Sequence, residues 1–456
     1  MINEIPINGR IAIIDDREKE IAPLMRLLSK HSLPYIYVNP SDDRFFPEVL
    51  GNDIRLLFLD LNLLGSQALQ DKQVKGMLAG VLKRIVSPNN FPYIIILWSN
   101  QESEYKNVLM DLFQNELKDI APIACKSFIK SEFFPVIDGD EVDSKRDLLA
   151  ELANILNEVP VYRFLLFWEN LIHESADGVL DEVFNNENIR QDWPRNASCL
   201  FTSLGRAYVG KHFEEGSIED RVKWAYPVLN SLLEDTIESG LWKNKQVIGS
   251  CIFENVDQEL SLDEKARLNK KLLTSPENNG ICDPGSVLKI VAEEDTLFRA
   301  ILNNLLSILK IKTELKKESP DILDSLLKKQ ASKKMSEIKK EIQGSWIKIG
   351  LVVTPSCDFA QKKKVFDRVV FGILIKSSFR DYINEGQSFF ISPVFEFNSD
   401  SYVLALDYKY LTTVDLEGWK GLSDGGFLFK IRRQMLVEVQ AQLSRHISRP
   451  GMLFLD

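Results

Sequence analysis

The stretch Ile11-Ala-Ile-Ile-Asp-Asp16 joins four consecutive apolar residues to two aspartates, and Leu57-Phe-Leu-Asp60 has a similar arrangement. Strands that are apolar at every residue are typical of parallel sheets, because helices cover both faces of such a sheet. Further strand-like runs, with helix-like segments between them, begin at Pro34, Tyr93 and Ala124. The alternation predicts a doubly wound, five-stranded parallel sheet in the first third of the chain.

The remaining two thirds of the chain have different patterns. Between residues 158 and 343 the strand signal nearly disappears, and apolar residues recur at helical spacing. After residue 343, short apolar runs separated by turn residues return, and one helix-like segment follows them. A chain of 456 residues is longer than a single domain usually is. We therefore predict a multidomain protein with an α/β part, an α part and a mostly-β part. Its parts are a flavodoxin-like domain at 1–157, a helical domain at 158–343, and a small antiparallel β domain with a helix at 344–456.

The charge and the cysteines restrict the classes of function. The formal net charge of −10 argues against a general nucleic-acid binder, since phosphate contacts need a basic face. The cysteines are odd in number, widely spaced and without a C-x-x-C pair, which is typical of reduced thiols. They are Cys125, Cys199, Cys251, Cys282 and Cys357. Neither a leader-like apolar segment nor an apolar run of membrane length occurs, so we expect a cytoplasmic chain without membrane attachment.

Polar residues follow four of the five predicted strands of the first domain. Asp15 and Asp16 come directly after the first strand, and Asp60 comes directly after the third. Ser99 lies just beyond the fourth strand and Lys130 just beyond the fifth. The carboxyl ends of the strands meet at one edge of a doubly wound sheet, where such folds bind ligands. We therefore expect these five side chains to surround one pocket.

This set of side chains has a clear chemical use. Three carboxylates in one pocket repel one another, and a divalent cation such as Mg²⁺, which prefers oxygen ligands, relieves that repulsion. One of the carboxylates can then attack a phosphoryl donor to form an aspartyl phosphate. A lysine neutralises the added charge, and a hydroxyl group can report it through a hydrogen bond.

Three segments resemble the signature regions of response-regulator receiver domains from two-component signalling. They are Ile11–Asp16, Leu57–Asn62 and Ser127–Lys130, and the resemblance covers roughly residues 8 to 157. It implies Asp60 as the phospho-acceptor and Lys130 as the phosphate-binding cation. It further implies Mg²⁺ bound by Asp15, Asp16, Asp60 and the backbone carbonyl of Asn62, with Ser99 as the switch hydroxyl.

The chain departs from the family pattern at several positions. Leu63-Leu64 stands where the family usually has Met-Pro, and Ser131 replaces the proline expected after the lysine. Either Trp98 or Ser99 occupies the switch position, depending on the alignment. These departures resemble the divergent receiver-like domains of bacterial conflict and anti-phage systems.

Other candidate sites have a plainer explanation beside the functional one. Thr354-Pro-Ser-Cys-Asp358 could supply a nucleophile or a redox thiol at Cys357 beside Asp358, although a buried thiol and a turn-forming aspartate explain it too. Glu169 and His173, four residues apart on a predicted helix, could bind a metal, but an ordinary exposed pair is favoured. The lysine-rich stretch 310–340 favours a solvated amphipathic helix pair over a surface for an acidic partner.

Together these observations predict a regulator or adaptor rather than an enzyme. We expect phosphorylation of Asp60 in a bacterial stress or anti-phage system, with a histidine kinase or related ATPase and other proteins of that system as partners. Self-association stays open, and DNA binding is disfavoured. The alternatives are an effector enzyme acting through Cys357 and Asp358, and a scaffold that is inert to phosphorylation.

Overall fold

The computed structural model forms two compact units, residues 1–196 with 229–255 and residues 197–228 with 256–456. We describe each unit by itself. The structure describes the whole chain except residues 1–4, 7–8, 62–70, 100–104, 138–139, 142–145, 186, 251–258, 276–282, 292–294, 356–357, 359–365, 416–417, 419–425 and 449–456.

The first unit contains a five-stranded parallel sheet. Its strands are β1 (Ile11–Ile14), β2 (Tyr35–Val38), β3 (Leu56–Leu59), β4 (Ile94–Ser99) and β5 (Ala124–Ile129). They lie in the order β2-β1-β3-β4-β5, and each neighbouring pair is parallel. This order fits the flavodoxin-like arrangement and confirms the prediction of a doubly wound sheet. The order reverses between β1 and β3, so the ends of these two strands flank the topological switch point.

Helices cover both faces of this sheet. Along β4, Ile95 and Leu97 face one apolar core, whereas Ile94, Ile96 and Trp98 face the other, as strand geometry requires. Helices α2 (Asp71–Ile85) and α3 (Lys106–Asn115) complete the first core. Helices α1 (Glu18–Lys30) and α5 (Leu148–Asn157) complete the second, together with Phe133 from the short helix α4 (Lys130–Phe133). Between β2 and β3 the chain makes only a 3₁₀ turn, Asp43–Phe45, where a doubly wound fold usually has a helix.

The second core also takes residues from beyond the predicted domain boundary at residue 157. Tyr162 and Leu166, from the first two turns of helix α6 (Pro160–Phe184), are buried in it beside α5. A small hairpin, β6 (Val136–Ile137) with β7 (Asp140–Glu141), precedes α5. The sheet is therefore packed by more chain than residues 1–157.

The middle of the chain is helical, as predicted. The helices after α6 are α7 (Glu187–Gln191), α8 (Trp193–Val209), α9 (Ile218–Lys223), α10 (Tyr226–Lys243), α11 (Lys245–Ser250) and α12 (Leu262–Leu273). Two of these helices begin with serine capping boxes, at Ser217 and Ser261, which satisfy the first free backbone N–H groups. No helix in the described ranges combines the length and the apolar composition needed to span a bilayer.

The second unit is built around an eight-stranded antiparallel sheet. Its strands are β8 (Thr274–Ser275), β9 (Ser286–Lys289), β10 (Ile347–Val352), β11 (Asp367–Lys376), β12 (Phe389–Ile391), β13 (Phe395–Phe397), β14 (Asp400–Val414) and β15 (Phe427–Ile431). The order is β12-β14-β11-β10-β9-β15-β8, and β13 also pairs with β14. The sheet is larger than the sequence indicated, because β8 and β9 precede residue 344. These strands are only two and four residues long, too short for a clear alternation of apolar residues.

Helices pack on both faces of this sheet as well. On one side lie α13 (Thr296–Leu305), α14 (Ile308–Glu318) and α15 (Asp324–Ser345), and on the other lies α16 (Arg433–Ile447). Helices α14 and α15 form the amphipathic pair that the lysine-rich stretch predicted. Ile311 and Ala331 are buried on their inner faces, and Lys334 Nζ donates to Glu314 Oε2 at 2.9 Å.

Candidate functional site

The parallel sheet brings the predicted pocket residues to one edge. Asp15 and Asp16 follow β1 directly, and Asp60 follows β3. Ser99 is the last residue of β4, and Lys130 is the first residue of α4, directly after β5. Asn62, whose backbone carbonyl the resemblance implies as a ligand, lies outside the described residues.

The three aspartates form one carboxylate cluster. Asp15, Asp16 and Asp60 can each offer an oxygen such that the three oxygens lie within 4.8 Å of one another. Asp15 and Asp60 are buried, whereas Asp16 is partly exposed. Asp16 Oδ1 is nevertheless shielded from solvent, and no described residue gives it a hydrogen bond. A buried carboxylate oxygen without a donor is costly, and a bound cation is one way to satisfy it.

Lys130 is the cation that the fold itself supplies to this cluster. Its Nζ donates to Asp15 Oδ2 at 2.6 Å and to Asp60 Oδ2 at 2.8 Å. It also donates to Glu20 Oε2 at 3.3 Å. Because only 4% of Lys130 is exposed, little water competes for its ammonium group. The lysine therefore ties the ends of β1 and β3 to the start of α4.

Glu20 belongs to the pocket although the sequence reasoning did not single it out. It lies in the first turn of α1, where a negative charge is favoured by the helix dipole. Its second oxygen, Oε1, accepts from Arg17 Nη1 at 2.7 Å. The available sequence signal was a carboxylate one helical turn beyond the aspartate pair, on the helix that starts at the pocket.

The backbone around β1 is fixed by hydrogen bonds to the same residues. Arg17 N donates to Asp15 Oδ1 at 2.8 Å, and the Tyr37 hydroxyl donates to the Asp15 carbonyl at 3.0 Å. Asp60 N donates to the Ile14 carbonyl at 2.9 Å, which continues the pairing of β3 with β1. Asp15 and Asp60 are thus held in place by main-chain contacts as well as by Lys130.

Burial and crowding change the acidity of these groups. Burial raises the pKa of Asp15 to about 6, although the nearby Lys130 ammonium opposes this and the Asp60 carboxylate adds to it. Burial, and then the Asp60 charge, raise the pKa of Asp16. For Lys130, burial alone would lower the pKa, but the Asp60 and Asp15 carboxylates outweigh it and raise the pKa. Lys130 therefore stays charged, whereas burial and the repulsion between carboxylates make the ionised forms of Asp15 and Asp16 less stable.

The charges in the pocket fit a divalent cation. Among the described residues, the carboxylates of Asp15, Asp16, Glu20 and Asp60 outnumber the cationic groups of Lys130 and Arg17 by two. One divalent cation would neutralise these two excess negative charges, and oxygen atoms are the ligands that Mg²⁺ prefers. Asp15, Asp16 and Asp60 are the residues that can hold such an ion.

At the end of β4 the two candidates for the switch position differ in environment. Trp98 is 1% exposed, and its ring lies 5.6 Å from Phe58, 5.8 Å from Phe133 and 6.0 Å from Phe134, centroid to centroid. Trp98 is therefore a core residue. Ser99 is buried too, but strand alternation turns it toward the opposite face, and it remains the candidate hydroxyl.

The other candidate sites receive less support. Cys357 lies outside the described residues, and Asp358 Oδ2 lies 3.6 Å from Arg368 Nη2. Glu169 is not the exposed residue that the sequence suggested, since it is partly buried and binds Arg10 and Arg55 at the opposite edge of the parallel sheet. Its predicted partner His173 contacts Arg10 instead, Nε2 to Nη2 at 3.0 Å. The sequence could not show this, because more than 100 residues separate the members of each pair.

The carboxylate edge of the first unit therefore combines three clustered carboxylates, which could hold a metal ion, with a buried ammonium group. No family model matches the chain, and no curated protein or solved structure is detectably similar to it.

Proposed function

We propose that the chain is a signalling regulator that accepts a phosphoryl group on Asp60 while a divalent cation, Mg²⁺ by the receiver resemblance, is bound beside it. The observation that carries the proposal is the cluster of three carboxylates, two of which bind one buried ammonium group, while no described residue donates a hydrogen bond to the shielded Asp16 Oδ1. A purely structural cluster would leave a buried oxygen of its third carboxylate unsatisfied, because no described residue donates a hydrogen bond to Asp16 Oδ1.

Asp60 is the acceptor in this proposal. One of its carboxylate oxygens forms a bond to phosphorus while the bond from phosphorus to the donor's leaving group breaks. Lys130 Nζ, 2.8 Å from Asp60 Oδ2, stabilises the charge on the transferred group, as oriented cations do in phosphoryl transfer. Asp15, Asp16 and Asp60 would hold the cation, which would neutralise their carboxylates and the charge of a phosphoryl oxygen.

Phosphorylation changes the contacts of Lys130, and through them the position of α4. The added oxygens draw the ammonium group toward residue 60 and away from its other carboxylate partners, Asp15 at 2.6 Å and Glu20 at 3.3 Å. Lys130 is the first residue of α4, and Phe133 of that helix packs against Trp98 in the core. A shift of Lys130 would therefore be transmitted through α4 to the core packing of this unit.

The phosphoryl donor in this proposal is a histidine kinase or a related ATPase of a bacterial stress or anti-phage system. This part rests on the resemblance of three sequence segments to receiver domains and on the departures described above. A pocket that binds the cation but never receives a phosphoryl group would make the unit a scaffold, and the following experiment separates the two.

The test is to incubate the intact chain with Mg²⁺ and acetyl phosphate, then to reduce it with borohydride and analyse peptides by mass spectrometry. Reduction converts an aspartyl phosphate to homoserine, so homoserine at position 60 is the expected product. Asp60→Asn must abolish it, and Asp43→Asn, which removes an exposed carboxylate paired with Arg84, must not. A folded chain that yields no homoserine at residue 60 would refute phosphorylation under these conditions and leave the scaffold.

A further inference from the structure

Glu20 connects the two cationic side chains of the pocket. Its Oε1 accepts from Arg17 Nη1 at 2.7 Å, and its Oε2 accepts from Lys130 Nζ at 3.3 Å. About a quarter of its side chain is exposed, compared with one-twentieth for Lys130. Glu20 is therefore the most exposed of the three carboxylates that contact the lysine.

A cation held by Asp15 and Asp60 would lie beside the ammonium group of Lys130, which already contacts one oxygen of each carboxylate. Asp15 Oδ1 accepts the Arg17 backbone N–H at 2.8 Å, and the other oxygen of this carboxylate is Oδ2. Lys130 Nζ lies 2.6 Å from that oxygen and 2.8 Å from Asp60 Oδ2. A cation bound to either carboxylate would lie close to this ammonium group, and the two positive charges would repel each other.

Lys130 cannot leave its carboxylates without a replacement. A buried ammonium group that lacks a counter-charge is strongly disfavoured. Among the described residues, Glu20 is the third carboxylate within 4 Å of Nζ, after Asp15 and Asp60. At 3.3 Å the contact has room to shorten, and Arg17 fixes the opposite oxygen of the carboxylate.

We propose that Glu20 is a positioning residue, which receives the Lys130 ammonium group when a divalent cation occupies the Asp15 and Asp60 oxygens. This inference rests on the cation site of the proposed function. Glu20 lowers the free energy of the cation-bound pocket by giving the displaced lysine a charged partner. It does not touch the cation, and its effect depends on the presence of Lys130.

The test is a calorimetric titration of the intact chain with Mg²⁺. We expect Glu20→Gln to weaken binding about tenfold, which corresponds to about 1.4 kcal/mol. Glu18→Gln, which removes the same charge from an exposed position in the same helical turn, is expected to weaken binding less than twofold. Glu20→Asp keeps the charge but shortens the reach toward Lys130, so it is expected to share most of the loss.

A double-mutant cycle then separates positioning from simple charge. In a Lys130→Met background, Glu20→Gln is expected to change the Mg²⁺ affinity less than twofold, because the residue that Glu20 positions is gone. Equal losses of Mg²⁺ affinity in both backgrounds would mean that Glu20 acts only through its charge at a distance, and would overturn the inference. Wild-type affinity in Glu20→Gln would overturn it too.

The outcome also distinguishes this inference from the proposed function. If the folded wild-type chain shows no heat of Mg²⁺ binding, the chain lacks the cation site and both proposals fail. If the wild-type chain binds Mg²⁺ and the Glu20→Gln variant binds it with the same affinity, only the proposed role of Glu20 fails. Thermal melting of each variant in EDTA shows that the fold is intact.

Discussion

The two edges of the parallel sheet both carry buried charge, but their charges are balanced differently. Among the described residues of the carboxyl edge, carboxylates exceed cationic groups by two, and Asp16 Oδ1 has no donor. At the amino edge, Arg10 and Arg55, which directly precede β1 and β3, share Glu169 of α6. Among the described residues, the charged groups of the amino edge bond one another, whereas the carboxyl edge leaves a buried carboxylate oxygen without a donor.

The contacts at the amino edge are close and numerous. Glu169 accepts from Arg55 Nη2 at 2.8 Å and Nε at 3.0 Å, and from Arg10 Nη1 at 2.6 Å. Burial would raise the pKa of Glu169, but the two guanidinium groups hold it below its usual range. The Tyr162 hydroxyl donates to the Arg55 carbonyl, and Asn170 Nδ2 donates to the Ile5 carbonyl at 2.8 Å. These bonds attach α6 to the sheet.

The difference between the edges indicates which cluster stabilises the fold and which is suited to bind a ligand. A paired, hydrogen-bonded cluster loses stability when any member is removed. A cluster of carboxylates that repel one another has the opposite response. Removal of one carboxylate stabilises the fold but weakens the binding of the ligand. The predictions below test this contrast, from the largest expected effect to the smallest.

The largest effect is expected at the amino edge. Glu169→Ala leaves two partly buried arginines without their carboxylate, and we expect a loss of about 3 kcal/mol in the free energy of unfolding. Glu174→Ala is the control on the same helix, because Glu174 is exposed, and it is expected to change stability by less than about 0.5 kcal/mol. Urea denaturation measures both. A loss below 1 kcal/mol for Glu169→Ala would contradict the structural role of this cluster.

At the carboxyl edge we expect the opposite sign. Asp16→Asn removes a carboxylate whose pKa is raised by burial and by Asp60, so the cation-free protein should gain about 1 kcal/mol in stability. The same change is expected to weaken Mg²⁺ binding more than tenfold, because one of three anionic ligands is lost. Melting in EDTA and calorimetry provide the two measurements. Destabilisation with unchanged Mg²⁺ affinity would show that Asp16 is structural.

Mg²⁺ binding should depend on pH through Asp15, whose pKa burial raises to about 6. The ligand must be ionised, so we expect about tenfold weaker binding at pH 5 than at pH 7.5. Without the cation, a raised carboxyl pKa means that the folded state binds more protons between about pH 4 and pH 6. Asp15 therefore contributes a loss of stability as pH rises through that window, complete above it.

Calorimetric titrations at several pH values test the first statement, and melting in EDTA tests the second. Asp15→Asn is the control for the melting, because it should remove this part of the pH dependence. Mg²⁺ affinity that does not change between pH 5 and pH 7.5 would contradict the raised pKa.

The smallest effect is expected at Trp98, next to the pocket but in the core. Its indole Nε1 is buried without a hydrogen-bond partner among the described residues. Trp98→Phe removes this donor but also packing volume, so stability should change by about 1 kcal/mol or less. Mg²⁺ affinity should stay within twofold of wild type. A larger change in affinity would mean that Trp98, rather than Ser99, acts at the end of β4.

Much of the carboxyl edge was predictable from the sequence, and the amino edge was not. The apolar runs beside Asp15 and Asp60 predict the strands, and parallel topology alone brings those strand ends together. The contact of Glu20 with Lys130 depends on the orientation of α1, which no periodicity specifies. Arg10 and Glu169 are 159 residues apart, and nothing in the local pattern of either predicts their pairing. Their packing follows from the tertiary fold alone.

The most direct test of the account is a titration of the intact chain with beryllofluoride, an acyl-phosphate mimic, in the presence and absence of Mg²⁺. We predict saturable binding at one site that requires Mg²⁺ and disappears in Asp60→Asn, while the Glu169→Gln chain, altered at the opposite edge, still binds. A well-folded wild-type chain that binds no beryllofluoride with Mg²⁺ present would contradict the claim that this edge accepts a phosphoryl group.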